Sequence, residues 1–160
     1  MRSGDQPAYG LVPSGIPGYF PAIEPPALTT QAARIAAAHQ LLAAAGYSAE
    51  RPLEVELMYH NSEEHKKVAI AAAAMWRAIG VKTVLRSADR QVVDASARNG
   101  QFEIVRLALF AGFVDPSGFF NAVRVGSPVN GSGYASQRLE QFLDQRSEEH
   151  TSELQSQNRI

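Results

Sequence analysis

The sequence predicts an α/β fold with a largely parallel sheet and crossover helices. Two helical stretches each end at a glycine, Gly46 and Gly80, and each is followed closely by an extended apolar stretch. A third extended stretch, Phe102 to Leu109, is apolar on both faces. Ile104, Ala108 and Phe110 share one parity, and Val105, Leu107 and Leu109 share the other. Such a strand suits the interior of a parallel sheet covered by helices on each side. The resulting order α-β-α-β-α-β requires crossovers, which make neighbouring strands parallel.

The 160 residues with 45% hydrophobic content suffice for one domain with a core. The absence of cysteine excludes disulfide frameworks, thiolate metal sites and cysteine nucleophiles. Fifteen basic and sixteen acidic residues balance, which argues against a nucleic-acid surface. No run of eighteen apolar residues exists, and MRSGDQPAYGLVP at the start lacks the apolar core of a signal peptide.

Residues 1–28 carry six of the nine prolines, interspersed with Gly10, Gly15 and Gly18, which rules out regular structure. Tyr9, Leu11, Val12, Ile16, Tyr19 and Phe20 make this stretch a packed extended loop rather than a linker. Residues 29–145 form the α/β part. Thr29 or Thr30 caps a helix running to Ala45, with Ile35, Ala38, Leu42 and Ala45 at helical spacing and Gly46 as the stop. Leu53 to Tyr59 alternates, with Leu53, Val55, Leu57 and Tyr59 inward and Glu54, Glu56 and Met58 on a wetter face. Asn61 or Ser62 caps the next helix, 63–79, whose expected buried stripe is Val68, Ala72, Met75 and Ile79. Glu63 and Glu64 suit the positive end of that helix. A strand over 81–86 and a short helix over 89–99, ended by Gly100, lead to the central strand. A Gly/Ser/Asn-rich loop, 125–133, precedes an amphipathic piece, Ser136 to Gln145.

RSEEHTSELQS, Arg146 to Ser156, matches the translation of a common sequencing-library adapter and lacks apolar periodicity. Residues 146–160 are therefore expected to be a non-native or disordered tail, with native sequence stopping near Gln145, and they carry no functional weight here.

Within the central strand Arg106 stands out. A guanidinium among apolar neighbours must meet an anion or a cavity, since an unpaired buried charge is too costly. Two readings stand: a structural ion pair with Asp115 or another acidic residue, or a role facing a bound anion. The strand passes into a Gly-containing loop, 111–114, and then Asp115-Pro116, a helix-start signal. In open α/β sheets the loop at a strand's carboxyl end is the usual place for a ligand.

No catalytic constellation appears. The histidines at 39, 60, 65 and 150 lack metal-ligand spacing, and His60 and His65 are at the wrong offset for one helix face. No G-x-S-x-G elbow or P-loop is present, so no catalytic residue, metal or cofactor is expected. Glu63-Glu64 and Glu54/Glu56 read as helix-start and solvated-face residues, and Trp76 as core packing.

Taken together, the motifs of residues 6–145 resemble the extracytoplasmic solute-binding proteins of peptide ABC importers, the oligopeptide- and dipeptide-binding type of family 5. Pro7-Ala8-Tyr9-Gly10, Pro13 and Gly18-Tyr19 are similar to that family's proline-rich entry. AAHQLLAAAGY, Ala37 to Tyr47, is similar to its helix end. Asn61, His65, Ala69, Trp76 and Ile79-Gly80-Val81 follow its next helix. Phe102 to Arg106, Asp115-Pro116, Phe119, Asn130 and Gly133-Tyr134 follow its central signature.

The resemblance implies part of one lobe of a two-lobed type II periplasmic-binding-protein fold. The implied function is capture of a peptide or other small solute and its delivery to the permease subunits of an ABC importer. The implied setting is periplasmic or extracytoplasmic, membrane-associated through the transporter. It also implies ligand-binding roles for Arg106, Leu109, Gly112, Phe113 and Asp115. In peptide-binding members a basic residue at the Arg106 position meets a ligand carboxylate. A Trp commonly stands at the Leu109 position, and an Asp that anchors the peptide α-amino group at the Gly112 position. Leu and Gly here depart from that pattern and admit glycosides, opines or nickel chelates as ligands. The enzyme alternative is a doubly wound hydrolase fragment with its catalytic residues elsewhere. It needs a nucleophile on a strand-to-helix turn, and residues 111–115 offer none.

Overall fold

A computed structural model describes residues 10–13, 15–17, 19–20, 30–110, 112 and 115–145. The expectations for residues 146–160, and for most of the proline-rich stretch, lie outside these. The described residues belong to two compact units, one containing 30–108 and the other 11–20 with 109–145.

The first unit alternates helix and strand as the glycine punctuation predicts. Its elements are α1 (Gln31–Ala44), β1 (Glu54–His60), α2 (Glu63–Arg77), β2 (Lys82–Ala88), α3 (Arg90–Arg98) and β3 (Ile104–Arg106). The sheet is fully parallel, in the order β2-β1-β3. All three helices stop the same way. In α2 the Gly80 N–H donates to Arg77 O and the Val81 N–H to Trp76 O, with Gly80 at φ +88. This is a Schellman closure, which requires a left-handed residue after the helix. Gly46 and Gly100 close α1 and α3 with the same pair of bonds. At the other end, Thr30 accepts from the Ala33 N–H at 3.1 Å and Ser62 from the His65 N–H at 3.3 Å.

The core lies where α2 covers β1. Leu57, Tyr59 and Ala69 are buried together, with Ala72, Trp76 and Ile104 packed against them. This bears out Trp76 as a core residue and shifts the expected stripe of α2. The buried face is His65, Ala69, Ala72 and Trp76, whereas Met75 is 62% exposed and Val68 borders on exposed. The run AIAAAAMW is apolar on every side, so periodicity alone leaves the phase of this helix open. Met58 corrects the expected alternation of β1, because it is 0% exposed instead of facing the wetter side. Buried Val93 and Ala97 of α3, which packs on β1, show how that second face is covered. The wetter face survives only at the start of β1. There Glu54 pairs with Lys82 at 2.9 Å and Glu56 with Arg86 at 3.2 Å. The apolar spacing of α1 yields no buried residue in that helix.

β3 is also shorter than the expected 102–109. It pairs with β1 only over Ile104–Arg106, opposite Leu57–Tyr59. The ladder ends there because β1 itself ends one residue later, at His60. Before β3 begins, the Glu103 carboxylate accepts the Glu56 N–H at 2.5 Å, supplying a partner where no β3 residue pairs.

In the second unit Asp115 accepts the Ser117 N–H at 2.8 Å just ahead of the one-turn α4 (Ser117–Phe120), whose N-cap is Pro116 and not the Asp115 that the sequence suggests. Asn130 ties the following loop by donating to the carbonyls of Arg124 and Tyr134. Arg124 in turn bridges Glu140 at 3.0 Å and Asp144 at 2.6 Å. Those contacts fix α5 (residues 137–145), whose cap is Ser136. Val12, from the proline-rich stretch, is 2% exposed. No helix among the described residues is long and apolar enough to cross a membrane.

Candidate functional site

β1 and β3 run parallel with Tyr59 opposite Arg106, so His60 and Arg106 both stand at the carboxyl edge of the sheet. After His60 the chain turns through Asn61 and Ser62 straight into α2. The Ser62 cap sets His65 in the first helical turn, buried to 9% exposure. The rings of His60 and His65 stack with centroids 4.6 Å apart and planes at 22°.

Arg106 completes the group. Its Nη1 lies 2.8 Å from Nδ1 and 2.5 Å from Nε2 of His65. An atom this close to both ring nitrogens lies over the ring face and not along either in-plane lone pair, so the guanidinium meets the imidazole as a cation on a ring face. On the other side, Nε2 of His60 lies 3.3 Å from Oδ1 of Asp94. Arg90 donates to Oδ2 of the same carboxylate at 3.4 Å, one helical turn away. The result is a string, Asp94–His60–His65–Arg106, drawn from α3, β1, α2 and β3.

The electrostatics follow from the geometry. The pKa of His65 lies below its ordinary value of 6.5, first because burial disfavours the charged ring. Arg106, His60 and, more weakly, Arg90 push the same way, while Glu64 opposes them. At neutral pH His65 is therefore a neutral neighbour of Arg106, not a competing cation. Within the first unit, no carboxylate of a described residue pairs with Arg106. No group of three or more His, Asp or Glu side chains among the described residues is arranged to hold a metal.

Of the residues singled out in the sequence, Arg106 is half-buried in the first unit at the end of β3. Leu109, Gly112 and Asp115 belong to the second. Leu109 is 41% exposed, and Gly112 is exposed with nothing within 4 Å of where a β-carbon would stand. Phe113 lies outside the described residues. The second unit also has an open pocket of about 560 Å³ along α5, lined by Val125, Ser136, Glu140 and Asp144 among others. It contains none of the predicted site residues, and Arg124 already holds both of its carboxylates.

Residues 1–131 match the model of the bacterial extracellular solute-binding proteins, family 5, middle region. The chain belongs to this family. It is 31% identical over 152 residues to the periplasmic murein peptide-binding protein MppA of Escherichia coli, covering 94% of this chain and 28% of that one. The periplasmic oligopeptide-binding protein OppA of Escherichia coli is 32% identical over 148 residues, 88% of this chain and 26% of that one. The solved structure of OppA from Burkholderia pseudomallei superposes with a TM-score of 0.79 at 33% identity, covering 89% of this chain and 28% of that chain. The chain thus spans just over a quarter of the length of these relatives. The α/β architecture with its parallel sheet is that of type II periplasmic binding proteins, as the resemblance implied.

Proposed function

We propose that the protein is the solute-binding component of an ABC importer. It captures a peptide or a related small solute outside the cytoplasm and hands it to the permease subunits at the membrane. The observation that carries this reading is the family match over residues 1–131. The relatives are named for peptides they bind in the periplasm, and none of those reported above is named as an enzyme. The site offered here supports it: a half-buried guanidinium at the carboxyl edge of a parallel sheet, where α/β folds receive ligands.

Arg106 is the residue we assign to the ligand's anionic group, with Leu109, Gly112, Phe113 and Asp115 as further contacts. Gly112 supplies no carboxylate, so a ligand α-amino group lacks a charge-assisted partner at that position. The preferred solute is one without a free amine there.

Native mass spectrometry of the protein purified from its own compartment, with thermal-shift screening of peptides, tests the reading. A co-purified small solute or a peptide-dependent stabilisation is expected. Absence of both, or turnover of an ester substrate dependent on this protein, would overturn it.

A further inference from the structure

The contact between Arg106 and His65 belongs to the reading above, but nothing in that reading uses His60 or Asp94. Both are partly withdrawn from solvent, at 15% and 35% side-chain exposure. His60 reaches the site through the imidazole stack, and Asp94, 34 residues from His60 in the chain, reaches it through its contact with that ring.

We propose that His60 and Asp94 are positioning residues that make the capture of a carboxylate at Arg106 proton-coupled. The inference rests on the reading of Arg106 as the anion-binding group. In the free protein Arg106 favours a neutral His65, because the guanidinium stands against the ring and a second cation there would be repelled. A carboxylate arriving at Arg106 offsets that cation. His65 can then bind a proton and donate to the same anion, and the site changes from one cation to two.

The added charge faces His60 across the stack, Glu64 on its own helix, Arg106 on β3, and Arg90 and Asp94 on α3. Two protonated rings at 4.6 Å would repel each other, so the coupling involves the one proton bound at His65. With Nε2–H of His60 donating to Asp94, the carboxylate fixes that ring and offsets the charge arriving beside it. The direction follows. His65 binds its proton more tightly in the complex than in the free protein, so affinity for an anionic ligand rises as pH falls between the two pKa values. One coupled proton gives up to about tenfold per pH unit.

Two experiments on the full chain test this. The first needs no knowledge of the solute: the ring signals of His65 and His60 are titrated by NMR in sodium acetate and in sodium chloride at equal ionic strength. His39, which is exposed on α1, serves as internal reference. His65 is expected to titrate at higher pH in acetate, with the shift abolished in Arg106→Gln and reduced in His60→Phe and Asp94→Asn. A His65 titration that is the same in both salts, or an acetate shift undiminished in both His60→Phe and Asp94→Asn, would overturn the proposal. Asp94 is the less buried, so its variant serves even if His60→Phe fails to fold.

The second is calorimetry of tri-alanine and its C-terminal amide in two buffers of different ionisation heat, with net proton uptake expected for the free acid alone. Binding of the acid without uptake between pH 5 and 8 would also overturn the proposal. If neither peptide binds, the peptide reading fails, and the acetate titration alone decides the proton coupling.

Discussion

Arg106 and His65, 41 residues apart, meet at 2.8 Å where β3 ends and α2 begins. The contact joins a strand end to a helix first turn across the carboxyl edge of the sheet. It also separates two demands on one side chain. A guanidinium held by a neutral ring keeps its full charge for a ligand, whereas one locked to a carboxylate would not.

Replacing Arg106 by Gln should therefore affect binding before stability. Loss of one charge-assisted hydrogen bond is about 1.5–3 kcal/mol, roughly a tenfold to hundredfold loss of affinity for an anionic ligand. Calorimetric titration and thermal unfolding of the same variant check this. A large fall in melting temperature with unchanged affinity would make Arg106 a structural residue instead.

His65 makes stability fall in mild acid. Its folded-state pKa is depressed, so the unfolded chain binds a proton first as pH drops. Stability is then complete above about 6.5 and declines from there down towards the folded-state value. Urea midpoints for the wild type should be lower at pH 5 than at pH 8, and this difference should shrink in His65→Gln. An equal pH dependence in the variant would assign it to other groups.

Element types were legible because each rests on local chemistry: Ser62 and Thr30 cap, and Gly46, Gly80 and Gly100 stop. What stayed hidden depends on neighbours. The phase of α2 is set by β1 beneath it, since its alanines are apolar in every direction. The burial of Met58 is set by α3, which covers a face that Glu54 and Glu56 make look wet. The His60–His65 pair is missed by a rule for residues on one helix. One of the two stands on a strand, and the turn at Asn61–Ser62 folds their rings together. An additional cue was available in the sequence, namely a Ser cap that follows one histidine at a strand's end and precedes a second by three residues.

Ala69 tests where the core sits. It is 0% exposed and packed with Leu57 and Tyr59 beneath α2. Ala69→Leu adds three carbons where no space remains, at a cost of about 1–3 kcal/mol. Met75→Leu on the same helix, 62% exposed, should change stability by less than about 0.5 kcal/mol. Denaturant unfolding of both variants checks the phase of α2. Equal effects would return the buried stripe to the one the sequence suggests.

Gly112 tests whether the proposed ligand contact at that position holds. A β-carbon there meets nothing within 4 Å, and no left-handed φ is required, so Gly112→Asp should be tolerated by the fold. If Gly112 lies in the ligand site, the new carboxylate gives a free α-amino group a charge-assisted partner, about 1.5–3 kcal/mol of added affinity. It should equally weaken a natural ligand that presents no cation there, because the carboxylate must then be desolvated without compensation. Titration of wild type and variant with a free-amine peptide and its N-acetylated form separates the two effects. The variant should gain for the free amine and lose or stay level for the acetylated form. A wild type that already prefers the free amine strongly, with no gain in Gly112→Asp, would mean that another group binds the ammonium and that the loop at 112 stands apart from the ligand.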